Sequence, residues 1–240
     1  MELIYTRDYP VETTDLNMYG KMRPARLLEL IQQVSGLHAE ILGLGAEILG
    51  KDNLSWVVVR EKLEITRMPV QDDVLHFVTW PGKGMHGLFP RYMEILDQDG
   101  KSLVRSCFLW VIMNKTSRVM IQPGSYGLDM PIPEKEPLMP LPRLPKKLLP
   151  EIRKAVFTVP YSFIDVVGHM NNTRYVEISE NHLEAARLGK EPRDMVIEFT
   201  HELRLDESME LEIGQEGDQY SVQGTRNGGP VFTLFIRYEE

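Results

Sequence analysis

Cysteine is almost missing from this chain: Cys107 is the only one in 240 residues. One thiol cannot close an internal disulfide, which fits a reducing compartment and points to the cytoplasm. Cys107 sits in Arg105-Ser106-Cys107-Phe108-Leu109-Trp110, an apolar run that reads as a core strand, so it is given no catalytic role. No stretch approaches the ~20 apolar residues that span a bilayer. The first eight residues, Met1 to Asp8, lack the basic-then-apolar order of a secretory signal. Zinc-like Cys/His spacing and glycine-rich phosphate loops are both missing, so no metal or organic cofactor is expected. Basic residues are in deficit too: 27 Lys and Arg against 35 Asp and Glu leave a formal charge of −8. That argues against nucleic acid as a partner. Two local basic clusters remain, Lys21, Arg23 and Arg26, then Lys146, Lys147, Arg153 and Lys154. Each reads as solvated surface or as a docking site for an acidic partner.

Proline, by contrast, is concentrated. Seven of the twenty residues from 131 to 150 are Pro. Such a segment continues neither a helix nor a central strand, so it is an extended linker. It separates a first domain, 1–130, from a second, 151–240. The first opens with a strand, Leu3 to Tyr9. A helix follows from Pro24, with Leu27, Leu28, Ile31, Val34, Leu37, Ile41 and Leu42 at helical spacing, ending near Gly43 and Gly45. Strands are then expected at Leu54–Ile65, Val74–Trp80, Phe89–Asp97, Lys101–Asn114 and Ser117–Ile121. The second domain repeats the order. It has a strand Val156–Phe163, a helix Asn171–Leu188, and strands Met195–Leu205, Ser208–Ile213, Gln219–Arg226 and Pro230–Tyr238. Asp97-Gln98-Asp99-Gly100 and Asn227-Gly228-Gly229 are hairpin turns. The class is α+β.

The halves also align residue by residue. Asn17 to Glu29 falls on Asp165 to Glu177, and Gly20, Met22, Arg26 and Glu29 meet Gly168, Met170, Arg174 and Glu177. A constant offset marks an internal duplication. Where the second copy has Asp165 and His169, the first has Asn17 and Lys21. One half therefore carries the candidate chemistry while the other supplies shape.

That chemistry lies in Asp165-Val166-Val167-Gly168-His169-Met170-Asn171-Asn172-Thr173-Arg174-Tyr175. A carboxylate, an imidazole and a helix N-terminus are gathered around one turn, which suits attack on a carbonyl or its polarisation. Each residue also has a plain role: Asp165 caps a turn, Gly168 lets it close tightly, and Asn171 and Asn172 cap the helix. The backbone N–H groups at the helix start are the expected oxyanion donors. Glu202 lies on an alternating polar stripe, Glu198, Thr200, Glu202 and Arg204, as on a half-wet strand.

A strand, a long helix and an antiparallel sheet around it, twice over, describe two tandem hot-dog domains. Gln32-Gln33-Val34, His38-Ala39, Leu54 to Arg60, Thr79-Trp80, Trp110 to Asn114, the Asp165–Tyr175 segment and Phe199-Thr200-His201-Glu202 together resemble the acyl-acyl carrier protein thioesterases. The resemblance implies hydrolysis of fatty acyl-carrier thioesters, releasing free fatty acid and ending chain elongation. The family's catalytic Asp, His and Glu fall on Asp165, His169 and Glu202. Its Asn position holds Val167, and Leu203 stands where plant-type members have a Cys beside the Glu. The Asp-x-x-Gly-His-x-Asn-Asn form also resembles single-domain acyl-CoA thioesterases, which work without that Asn. The helix residues Leu27, Leu28, Ile31, Val34 and Leu37 are core by default; the resemblance further implies an acyl pocket in the first domain, with Leu28, Val34, Val57, Val59, Phe108 and Trp110 as liners. His38 and Gln33 read as core or helix-packing residues, or as its border. Lys21, Arg23 and Arg26 would dock the acidic carrier. Acyl-CoA hydrolysis and non-catalytic acyl binding on the same fold stay open, as do monomer and homodimer.

Overall fold

The computed structural model describes residues 2–122 and 130–240; residues 123–129, at the expected end of the first domain, lie outside them. The first half contains β1 (Tyr5–Pro10), α1 (Pro24–Ile41), α2 (Ala46–Lys51), β2 (Leu54–Ile65), β3 (Val74–Pro81), β4 (Phe89–Leu96), β5 (Ser102–Asn114) and the short β6 (Met120–Ile121). The second contains β7 (Glu151–Thr158), α3 (Asn172–Glu180), α4 (Glu184–Arg187), β8 (Pro192–Phe199), β9 (Ser208–Glu216), β10 (Gln219–Arg226) and β11 (Gly229–Tyr238).

Pro24 opens α1 with its φ already set for a helix and no N–H to leave unpaired. Leu27, Leu28, Leu30, Ile31 and Val34 then bury completely or nearly so. Each such side chain contributes roughly 1.5–3 kcal/mol. Leu37 and Ile41, expected on the same stripe, are 38% and 43% exposed. Buried Ser35 and His38 take the inner face instead.

The strands form one antiparallel sheet in the order β1-β3-β4-β5-β2-β8-β11-β10-β9-β7, with β6 on β5. Each half supplies the same sequence of five strands, and the halves meet where β2 pairs β8, Arg60 opposite Glu198 through Glu64 opposite Asp194. A single apolar cluster holds α1, α3 and strands of both halves. Arg174 of α3 reaches Glu29 of α1 at 3.4 Å. This is a double hot dog whose two units share one sheet and one core.

The duplication extends to individual hydrogen bonds. Asn17 N–H donates to the Lys21 carbonyl at 2.7 Å, and Asp165 N–H to the His169 carbonyl at 2.9 Å. Asn17 Oδ1 accepts Tyr19 and Lys21 N–H at 2.9 and 3.2 Å, and Asp165 Oδ1 accepts Val167 and His169 N–H at 3.0 and 3.3 Å. Gly20 and Gly168 hold φ of +73° and +84°, a region where glycine is favoured.

Several expectations need correction. The helix Asn171–Leu188 breaks into α3 and α4: Asn181 and His182 are weak helix formers, the turn buries Leu183, and Arg153 Nη2 takes the His182 carbonyl at 2.7 Å. The strand Val156–Phe163 is shifted to β7, and Tyr161–Phe163 forms a 3₁₀ turn instead. The strand Met195–Leu205 stops at Phe199, because Thr200 and His201 N–H both turn to the Val231 carbonyl. Glu202 therefore sits on a loop. The linker is more than a spacer. Met139 is buried against Trp80, Tyr92, Cys107 and Leu109, and the Pro142 carbonyl accepts from Arg60 at 2.8 Å.

Candidate active site

The turn that holds Asp165 closes against the loop after β8. Met170 N–H donates to the Leu203 carbonyl at 2.7 Å, which brings Glu202 beside His169. Glu202 Oε2 lies 3.1 Å from His169 Nε2. Its other oxygen pairs with Arg118, from the β5–β6 turn of the first half. Asn114 Oδ1 supports that turn by accepting Thr116 and Ser117 N–H. A chain Arg118–Glu202–His169 thus crosses between the halves, and only tertiary structure assembles it.

Asp165, His169 and Glu202 line one cleft of about 480 Å³. Val167, 63% exposed, lies on its wall where the family's Asn is expected. Val57 and Val59 of β2, Trp110 of β5 and Tyr175 of α3 form the inner wall. Burial pushes the Tyr175 phenol well above its ordinary pKa, so it stays neutral. Leu203, at the plant-type Cys position, is fully buried in the core. Cys107 is also buried and its thiol is pushed up to about 12, which suits an inert core residue.

The expected oxyanion group narrows. Asn171 caps α3, its Oδ1 accepting Thr173 N–H at 3.0 Å, and Arg174 N–H goes to the Asn171 carbonyl. The N–H groups of Val167, Gly168, His169, Met170 and Asn171 are likewise held by the chain's own oxygens. Among 167–174, Asn172 N–H alone is left over, at the first position of α3 and on the cleft wall.

The cleft borders a second, more apolar cavity of about 220 Å³, between α1 and strands β2, β4 and β5. Gln32, Trp56 and Trp110 line both and form the neck. Trp56 meets Phe89 and Trp110 edge-on at 5.3 and 6.5 Å. Ser35, Gly36 and Ala39 of α1 continue the wall. Of the expected pocket residues, Val57, Val59 and Trp110 reach the cleft. Leu28, Val34 and Phe108 do not: they are spent in the main core and line neither cavity. Gln33 is exposed, and its neighbour Gln32 takes the inward position, since α1 turns 100° per residue.

The expected carrier-docking cations are elsewhere and already engaged. Lys21 Nζ pairs with Glu191 at 2.9 Å, and Arg26 with Asp15 and Glu29 at 2.8 and 3.0 Å. Arg23 Nη2 donates to the Thr14 carbonyl at 2.8 Å. They flank the first copy's turn, not the cleft, and carboxylates offset the charge of Lys21 and Arg26. The cations of the cleft are Arg118, Arg204 and Arg226. No local pattern distinguishes these three in the sequence. Among the described residues no cluster of His, Cys, Asp and Glu could hold a metal ion, and no helix is long and apolar enough to cross a membrane.

Comparisons with known proteins fit this geometry. In sequence, the chain is 25% identical over 191 residues to a palmitoyl-acyl carrier protein thioesterase of Gossypium hirsutum, covering 72% of this chain and 46% of that one. It is 24% identical over 219 residues to the corresponding Arabidopsis thaliana protein, covering 84% and 52%. The chain thus spans about half the length of these relatives. In structure it matches an acyl-ACP thioesterase from Bacteroides thetaiotaomicron with TM-score 0.81 and 23% identity, over 99% of this chain and 98% of that one. A 12:0-ACP thioesterase from Umbellularia californica matches with TM-score 0.80 and 20% identity, over 99% and 97%. The family models for the acyl-ACP thioesterase N-terminal and C-terminal domains match residues 2–122 and 147–228. With both domains matched in order over most of its length, the chain belongs to the acyl-ACP thioesterase family.

Proposed function

We propose that this protein hydrolyses the thioester between a fatty acyl chain and acyl carrier protein, releasing the free acid and ending elongation. One observation carries the site assignment. The two copies build the same turn, one with Asn17 and one with Asp165. Folding that turn does not require a carboxylate, so the charge at Asp165 is surplus to structure and available for chemistry.

The reaction needs water and these side chains only. Asp165 takes a proton from water, whose oxygen adds to the thioester carbonyl. Charge develops on the carbonyl oxygen, where Asn172 N–H at the start of α3 donates to it; one such donor is worth ~3 kcal/mol. The C–S bond then breaks, and the thiolate takes the proton from the imidazolium of His169, which Glu202 and Arg118 hold in place; the proton on Asp165 then returns to His169 through solvent, and the product acid releases its own to water. Direct attack by Asp165, through a mixed anhydride, fits the same placement. Turnover in ¹⁸O-water tests the anhydride route: label in the Asp165 carboxylate, left when water opens the anhydride at the Asp165 carbonyl carbon, establishes it, because general-base catalysis puts label in the fatty acid alone. The acyl chain runs past Gln32 into the apolar cavity. The carrier approaches the rim at Arg118, Arg204 and Arg226; the Arg204 side chain forms no ion pair among the described residues, while Arg226 is paired with Glu207 at 3.0 Å. A lone buried Cys107 suits a reducing, cytoplasmic setting.

The test is hydrolysis of carrier thioesters from C8 to C18, with the same acyl groups on coenzyme A alongside. Higher kcat/KM on the carrier, reduced by Arg204→Glu on that substrate only, supports this reading. Equal or higher kcat/KM on coenzyme A refutes the carrier assignment, and binding without turnover refutes catalysis.

A further inference from the structure

The apolar cavity behind the neck holds a charge that the chain does not offset. Arg91 of β4 is 5% exposed and lines the cavity. Its Nη1 lies 2.8 Å from His38 Nδ1 and 3.4 Å from Thr79 Oγ1. Neither partner is an anion. His38 Nε2 sits 2.9 Å from the Glu2 carbonyl, so it carries the proton, and Nδ1 is the acceptor of a neutral ring. Burial, joined by the Arg91 charge, moves His38 down to about 4. Burial lowers Arg91 to about 10, which leaves the guanidinium charged at neutral pH. Among the described residues Arg91 forms no ion pair with a carboxylate. The other charged liner, Glu40, is exposed and accepts Ala46 N–H at 3.0 Å.

An unspent donor belongs to another residue lining the cavity. Trp110 Nε1 is buried with no hydrogen-bond partner. Burying a cation without a counter-ion, and an N–H without an acceptor, is destabilising unless something else satisfies them. A cavity meant only for methylene groups would use neither. Both donors are explained if an oxygen acceptor enters with the substrate.

We propose that this cavity recognises acyl chains carrying an oxygen acceptor remote from the thioester, a carboxylate above all, with Arg91 and Trp110 as the donors. The inference rests on the thioesterase reading, because the chain must pass from the cleft through the neck. A terminal carboxylate meets Arg91 as a charge-assisted pair, the stronger class of hydrogen bond. A terminal hydroxyl accepts from the same donors without the charge. A terminal methyl leaves the Arg91 charge without a counter-ion and the Trp110 N–H without an acceptor.

The experiment compares decanoyl, ω-hydroxydecanoyl and sebacoyl thioesters of acyl carrier protein. Wild type is expected to favour sebacoyl over decanoyl by ~10- to 100-fold in kcat/KM, with the hydroxy chain between. Arg91→Met should collapse that ratio, and Arg91→Lys should keep part of it. Trp110→Phe, which removes the N–H and keeps an aromatic wall, should shrink it if Arg91→Met does not fold. A wild type that favours decanoyl, with a ratio unmoved in every folded variant, overturns the inference and leaves the thioesterase reading intact. No turnover of any thioester overturns that reading instead. Calorimetry with sebacate and decanoate then decides the cavity: tighter sebacate binding that is lost in Arg91→Met supports it, and equal binding refutes it.

Discussion

Replacing Asp165 by Asn should separate folding from chemistry. Asp165 Oδ1 accepts Val167 and His169 N–H at 3.0 and 3.3 Å, and an amide oxygen can accept both. The first copy already does this with Asn17, at 2.9 and 3.2 Å. Stability should therefore change by less than about 0.5 kcal/mol, or ~2 °C in Tm. Asp165→Ala loses both acceptances at ~0.5–1.5 kcal/mol each, a total of about 1–3 kcal/mol. For a chain of this size that is ~2–12 °C in Tm. Turnover should fall ~10²- to 10⁴-fold in both variants, since both lack the base or nucleophile. The assay is thiol release from an acyl-carrier thioester, with thermal and urea unfolding run on the same preparations. Asp165→Asn with near wild-type turnover would refute the argument, because the carboxylate would then serve only the turn. Loss of activity together with loss of stability in Asp165→Asn would also refute it, because the two turns would not be equivalent.

Three further outcomes follow from the geometry. Glu202→Gln should lower kcat ~10²-fold by releasing His169, while Tm stays within ~8 °C because its two exposed ion pairs are worth at most about 1 kcal/mol each; unchanged kcat in steady-state assays would remove Glu202 from the site. Gly168→Ala should cost ~1–2 kcal/mol by urea unfolding, from the φ of +84° alone, since an added Cβ meets nothing within 4 Å. Glu61 is fully buried, and burial raises its pKa to about 8 although Gln32 donates to it at 2.9 Å. The folded state therefore keeps a proton that the unfolded chain releases above about 4.5, so stability declines as pH rises from there to about 8. Glu61→Gln removes that decline, with an advantage reaching about 3 kcal/mol at pH 7; parallel Tm-versus-pH curves for the two proteins would refute it.

Much of this protein was legible in residue order. The Pro-rich stretch after 130, the two helix starts at Pro24 and Asn172 and the hairpins at Gly100 and Gly228 follow from local backbone preferences, which need no distant partner. The duplication was legible because matching turns require matching glycines and small polar caps. So was the pairing of Asp165 with His169, four residues apart on one turn.

Long-range packing decided the rest. The end of β8 at Phe199 depends on which carbonyl of β11 receives Thr200 and His201, and alternation in the sequence continues past it. Arg118 joins Glu202 only because the halves share a sheet. Leu28 and Phe108 look the same in sequence as Val57 and Trp110, yet the first two fill the core and the others line the cleft. Lys21 and Arg26 read as a free basic cluster until Glu191 and Asp15 are brought against them. Sequence by itself determined the order of the main strands and the starts of α1 and α3, and which turn carries the acid and the imidazole, because those depend on neighbours a few residues away. Tertiary structure alone decided which side chains face a cavity and which charges are offset, because burial and pairing are properties of segments that meet across the chain.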